Sequence, residues 1–376
     1  MALALGGLVA LAVAVGVGRF VYTPILPLMV EDLGTTKATA GLIASANFAG
    51  YLVGALLAAT PVVAGSRRRW LLAGLGVSAL TTAAMALTSS TAAFLLLRFT
   101  GGLASAFGLV FASALVLDGL AVIGRPHLSA LHFAGVGIGI AVSAVIASGL
   151  TALGGGWRSI WSAAGALSFI GTAGAAALIA DRRGMATPTA APSRRVDRRL
   201  VAFVTAYGLF GFGYIITATF LVAIVRDARY GGAVEPMVWL VVGLTAAPSV
   251  VLWSWAADRV GLARAFALAC VTEAVGVAAS VARAPAAALL GGALVGGTFM
   301  GLTALGLIGA RRLSTGDPRS ALAVMTASFG AGQIVGPAFA GLVHDATGSF
   351  VLPSLTAVAA LLVGAGLALW TRPGLS

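Results

Sequence analysis

Long apolar runs alternate with short polar breaks along nearly the whole chain. A membrane-crossing helix needs about 20 mostly apolar residues. Runs of that length fall near residues 3–29, 39–64, 70–90, 92–120, 128–152 and 157–180, and again near 200–226, 235–257, 263–283, 285–310, 320–343 and 349–371. The pattern predicts an all-α integral membrane protein with twelve transmembrane helices. One polar stretch is much longer than the rest, DRRGMATPTAAPSRRVDRR at 181–199. It reads as a cytoplasmic linker between a six-helix bundle at 1–180 and a second at 200–376. The first apolar run has no basic residue before it and is too long for a signal-peptide core, so it is expected to stay as the first helix.

The two halves repeat each other. SALHFAGVGIGIAVSAVIASGL from 129 aligns with SALAVMTASFGAGQIVGPAFAGL from 320, RFVYTPIL from 19 with GFGYIITA from 211, and RFTGGLAS from 98 with ALVGGTFM from 293. The offsets, 191 to 195 residues, are close to half the chain. A parallel pseudo-two-fold repeat of six helices, with a midplane site between the halves, is a transporter architecture.

Composition agrees with the pattern: 60% of the residues are hydrophobic and 9% charged, against about a quarter charged in a soluble domain. The 51 glycines suit helices that pack closely in lipid. The net charge of +12 comes from arginines that sit between apolar runs, which makes them topology determinants rather than a nucleic-acid surface. With a cytoplasmic N-terminus, sixteen Arg fall on the inner side and five Arg or Lys on the outer, so both termini are expected inside. The single cysteine, Cys270, excludes an internal disulfide framework.

The stretches GRFVYTPILPLM (18–29), GLFGFGYIITATFL (208–221) and GQIVGPAFAGLVHDATGSF (332–350) resemble the major facilitator superfamily, and within it the YbfB/YjiJ-like branch. The resemblance covers essentially the whole chain. It implies the major facilitator fold, with two bundles that rock around a central cavity lined by the first, fourth, seventh and tenth helices. It also implies gating elements. WAADRVGLAR (255–264) keeps the family's Asp-Arg-x-Gly core at Asp258, Arg259 and Gly261. PVVAGSRRRW (61–70) keeps Arg67 and Arg68 but has no acidic residue at the expected place, and Asp118 looks like the partner of that arginine cluster. LLLRFTGG (95–102) looks like the Arg-centred motif of proton antiporters, whereas HFAGVGIGIAVS (132–143) lacks the proline of the drug exporters' fifth helix.

Two arginines, Arg19 and Arg98, fall within spans, where a charge costs roughly 2.5–3.5 kcal/mol on insertion scales. At 1.5 Å per residue they lie ~15 Å and ~9 Å from the outer ends of their helices. Their repeat equivalents are Gly211 and Ala293, so a purely architectural role shared by both halves does not account for them. Two readings stand: both face the cavity and bind a carboxylate or phosphate through paired hydrogen bonds, or each hydrogen-bonds helix carbonyls. Tyr22, Asn47, Tyr51, Tyr207, Phe210, Tyr214, Thr217 and Gln333 are further candidate lining residues. Tyr22 and Tyr214 occupy equivalent positions in the repeats and would complete the site from opposite bundles. Glu273 and His132 are the candidate proton-coupling groups.

The function expected is a secondary active transporter in the bacterial inner membrane that works by alternating access on a small organic solute, an anion by the arginines, with protons as the candidate coupling ion. A monomer without metal or cofactor is expected. A drug/proton antiporter is the alternative within the class, and a transport-dead receptor the alternative outside it. A membrane-embedded enzyme is not expected, because three scattered His and no paired intramembrane carboxylates supply no catalytic constellation.

Overall fold

The computed structural model describes residues 1–60, 63–180, 198–230, 233–314 and 318–371. Among the described residues, twelve helices are long and apolar enough to cross a membrane: α1 (Ala2–Leu33), α2 (Lys37–Ala58), α3 (Arg67–Leu87), α4 (Thr91–Val122), α5 (Pro126–Ala152), α6 (Trp157–Leu178), α7 (Arg198–Asp227), α8 (Val234–Val260), α9 (Leu262–Ser280), α10 (Pro285–Leu313), α11 (Ala321–Thr347) and α12 (Val351–Trp370). Among the described residues there is no strand. In lipid a helix is what such runs must form, because it bonds each backbone N–H and C=O within its own segment.

The expected spans are all present with shifted ends. α1 continues through Pro27 to Leu33, and α2 stops at Ala58 rather than near 64. Of the expected linker, 181–197 lie outside the described residues, and Arg198 and Arg199 already belong to α7.

The start of α1 and the end of α12 lie at one end of the molecule, together with Arg67, Arg68, Arg69, Arg125, Arg259, Arg264, Arg311 and Arg312. We call it the Arg-rich end. The opposite, acidic end carries Glu31, Asp32, Asp227, Glu235 and Asp345 at helix termini.

Packing follows the repeat. In the first half α2 lies on α4 and α3 on α6, and in the second half α8 lies on α10 and α9 on α12. The halves meet along two seams that the repeat exchanges, α2 with α11 and α5 with α8, while α1 crosses α7 between them. Glycine makes the seams possible. A Cβ on Gly41 would collide with the Pro337 carbonyl, and one on Gly137 with the backbone of Gly243 and Ala247. Lipid offers helices no hydrophobic drive to associate, so this backbone-to-backbone approach is what holds them.

Candidate functional site

The site begins with a defect in α1. Residues Ala12–Val17 form a π-turn, residues 18–21 continue as a turn in which Gly18 and Val21 keep helical backbone angles while the regular hydrogen-bond ladder is interrupted, and an α-helix resumes at Tyr22–Leu33. Pro24 has no N–H to return to Phe20, whose carbonyl takes the Thr23 N–H at 3.2 Å instead. Two carbonyls are left over, those of Gly18 and Arg19. Arg98, from α4, donates Nη1 to Gly18 O and Nη2 to Arg19 O, each at 3.0 Å. An unbonded carbonyl at this depth costs several kcal/mol, so Arg98 holds the break open. Its guanidinium also faces the Tyr22 ring at 5.1 Å and the Trp161 ring at 5.8 Å. Asn47 Nδ2 donates to Arg98 O at 2.8 Å, and Tyr22 Oη donates to Ala40 O at 2.9 Å.

Arg98, Asn47 and Tyr22 are therefore turned into the first bundle, not toward the seam where the cavity reading put them. The phenols of Tyr22 and Tyr214 do not converge. α7 is a continuous helix with no break at Gly211, which explains why the second half has no counterpart of Arg98: there are no freed carbonyls for it to bond.

Arg19 is placed differently. The break turns its side chain to the seam, where it is 6% exposed. The guanidinium lies 4.2 Å from the Tyr51 ring centroid, 4.9 Å from Phe48 and 5.7 Å from Phe20. It donates Nη2 to Gln333 Oε1 of α11 at 3.4 Å and lies against the Tyr51 side chain, and its Nε has no partner. Among the described residues no carboxylate comes within ion-pair distance of it.

Behind Gln333 stands an aromatic stack. Gln333 Nε2 donates to Tyr214 Oη. The Tyr214 ring is 5° from parallel to Phe299 at 5.7 Å and 6° from parallel to Phe329 at 5.8 Å. Tyr207 stacks on Phe329 at 4.9 Å and donates to Thr303 O at 3.3 Å, and Phe210 stacks on Tyr214 at 5.1 Å. Thr217, one turn beyond Tyr214, has a buried hydroxyl without a partner. Arg19 and Tyr51 thus face Gln333, Tyr214 and Tyr207 across the seam, with Phe210 and Thr217 on the same helix as the two tyrosines. Sequence reasoning missed Phe48, Phe299 and Phe329. Phe48 precedes Tyr51 by three residues and Phe329 precedes Gln333 by four, a helical spacing that ordinary packing also produces.

Glu273 and His132 lie apart from this group. Glu273, on α9, is fully buried with both oxygens unpartnered, and Thr298 nearby gives its hydroxyl to Leu294 O at 2.7 Å. His132 Nε2 is 3.1 Å from Ser113 Oγ, and its ring lies over Gly7 of α1, where a Cβ would overlap it.

At the Arg-rich end Arg67 Nη1 is 2.9 Å from Asp118 Oδ2. Arg68 instead bonds the last carbonyls of α6, Ala176 and Ile179, at 2.7 Å each. Arg259 lies over Trp255 at 4.2 Å, Asp258 is exposed, and Gly261 turns the chain at φ +85°. These contacts stay within one bundle. Several bonds that cross between bundles lie at mid-depth or toward the acidic end. Thr23 Oγ1 donates to Ala218 O at 2.7 Å and Ser45 Oγ to Ile334 O at 2.6 Å. Lys37 Nζ is 3.4 Å from Asp227, and Arg226 joins Glu31 at 3.2 Å and also Glu235. Asp345 accepts the backbone N–H groups of Lys37 and Ala38 at 3.1 and 2.9 Å. His344 lies 3.6 Å from both Asp227 and Asp345. Sequence reasoning looked for gating in the arginine loops. The signal for this second cluster was the gathering of carboxylates at helix ends on the other side.

A family model described as "Uncharacterised MFS-type transporter YbfB" matches residues 11–369. No curated protein matches the chain. Among solved structures, a mutant of the nucleoside transporter NupG superposes with a TM-score of 0.76 at 15% identity, over 98% of this chain and 99% of that one. A bacterial homolog of the human lysosomal transporter Spinster, inward-facing and unoccupied, superposes with a TM-score of 0.74 at 12% identity, over 100% of this chain and 96% of that one.

Proposed function

From the premise that this chain belongs to the YbfB family of MFS-type transporters, a transporter rather than an enzyme, we propose that it moves a small organic anion across the inner membrane by alternating access. The observation that carries the anion reading is Arg19: a guanidinium buried where the bundles meet, with a long hydrogen bond to Gln333 and, among the described residues, no counter-charge. A buried cation without a partner is costly unless an anion visits it. Tyr51, Tyr214, Thr217 and Gln333 supply further polar contacts, and Arg98 is a positioning residue that fixes the segment carrying Arg19. The cross-bundle bonds between mid-depth and the acidic end correspond to an arrangement closed there. Both termini are taken as cytoplasmic, which makes the acidic end the outer one.

The test is flux into proteoliposomes, screened over small carboxylates, sulfonates and phosphates. A transported anion is expected, with at least about tenfold lower flux for Arg19→Lys, since an ammonium cannot present the same fork. Transport of cations or neutral solutes only, unaffected by Arg19→Lys, would overturn the reading.

Glu273 is the preferred proton-coupling residue, supported by its buried, unpartnered carboxyl group. His132 is second, being already bonded to Ser113. pH-driven accumulation is expected to be lost in Glu273→Gln, and its survival in Glu273→Gln, His132→Ala and the double variant would leave an uncoupled carrier.

A further inference from the structure

We infer that the solute is a monoanion with a flat aromatic body, an aromatic monocarboxylate, and that the Gln333 amide holds its place in the empty protein. The inference rests on the anion reading above and deepens it. Charge comes first. Two guanidinium groups lie near the midplane, but Arg98 spends both terminal amino groups on the carbonyls of Gly18 and Arg19. Among the described residues, Arg19 is the guanidinium without a counter-charge that faces the seam, which balances a single negative charge and leaves a phosphate dianion or a dicarboxylate uncompensated.

Shape comes next. Gln333 Oε1 stands on Arg19 as one oxygen of a carboxylate would, and an amide is the uncharged shape analogue of that group. The group directly behind it is the phenol of Tyr214, whose ring continues into the parallel faces of Phe299 and Phe329. These rings come from α7, α10 and α11, so their alignment is set by three separate helices. On the Arg19 side Phe48 and Tyr51 present two more ring faces. The wall therefore joins one charge-reading group to several flat π surfaces. An amine would meet Arg19 with like charge. A flat ring bearing one carboxylate matches both parts, and aromatic stacking supplies selectivity that a saturated ring of equal size cannot obtain.

The experiment is a thermal-shift titration of the full chain in nanodiscs with benzoate, phenylacetate, cyclohexanecarboxylate and benzamide. At least one aromatic acid is expected to stabilise the protein, with an apparent affinity about tenfold or more above that of cyclohexanecarboxylate. Benzamide, which lacks the charge, is expected to give no shift. Phe329→Leu is expected to erase the preference for the aromatic acid while leaving carboxylate binding. Phe299→Leu, on a different helix, repeats the test should the first variant fold poorly. Equal affinity for the saturated and aromatic acids overturns the aromatic class and leaves the anion reading intact. So does the absence of binding by either aromatic acid when another anion shows Arg19-dependent flux. Benzamide binding as tightly as benzoate overturns the anion reading, and this inference with it.

Discussion

Two arginines that look alike in sequence have opposite energetic signs. Arg98 satisfies two buried carbonyls, and leaving such acceptors unbonded costs about 1–3 kcal/mol each. Arg98→Ala is therefore expected to destabilise the protein by about 2–6 kcal/mol. Arg19 holds a long hydrogen bond at a buried seam, so Arg19→Met is expected to leave the melting temperature unchanged or raise it while abolishing anion binding. Thermal denaturation of both variants with and without ligand checks the pair, and a large loss of stability in Arg19→Met would make that residue structural. The sequence marked both residues as charges in apolar runs. It did not separate them, because Pro24 marks where carbonyls are freed but not which arginine bonds them. The break in α1 swings Tyr22 away from its repeat mate Tyr214, so the equivalence of positions was legible and the divergence of their directions was not.

Helices α1 and α7 are counterparts, yet one is jointed and the other straight. The joint sits where Pro24 withholds a donor, and the proline was visible in the sequence. That an arginine would bond helix carbonyls was one of the two readings open, and which carbonyls Arg98 takes was not legible. At the acidic end, the decisive contact between elements is Asp345 at the start of α2, where its carboxylate accepts two of the free N–H groups of that helix's first turn. A side chain in that role is worth about 0.5–2 kcal/mol, which corresponds to roughly a two- to thirtyfold change in an equilibrium. Asp345→Ala is expected to shift the protein by that factor toward opening at the acidic end. In a Cys270→Ser background, a cysteine at Thr23 reports it through faster reaction with a hydrophilic maleimide. An unchanged rate would mean that Asp345 does not hold the bundles closed.

For the whole molecule, the alternation of apolar and polar runs was enough to give the helix count and the two halves, because in lipid a long apolar run has few alternatives to a helix. The arginine asymmetry predicts direction. In intact cells an impermeant maleimide is expected to label a cysteine at Ser90, at the acidic end, and not one at Ala121, at the Arg-rich end, and the reverse pattern would invert the topology. Which end the bundles close on was not legible, since it depends on pairs such as Lys37 and Asp227, 190 residues apart in sequence. The contact between Gln333 and Arg19 bears on how the transport cycle is completed. A carrier gives net flux only if it also reorients unloaded, and a bare cation at the seam would oppose that step. With an amide oxygen resting on it, the unloaded form is expected to turn over. Net uptake into vesicles that start empty is therefore expected from the native protein. Gln333→Leu is expected to convert it to an exchanger, which moves labelled solute only when unlabelled solute is present on the far side.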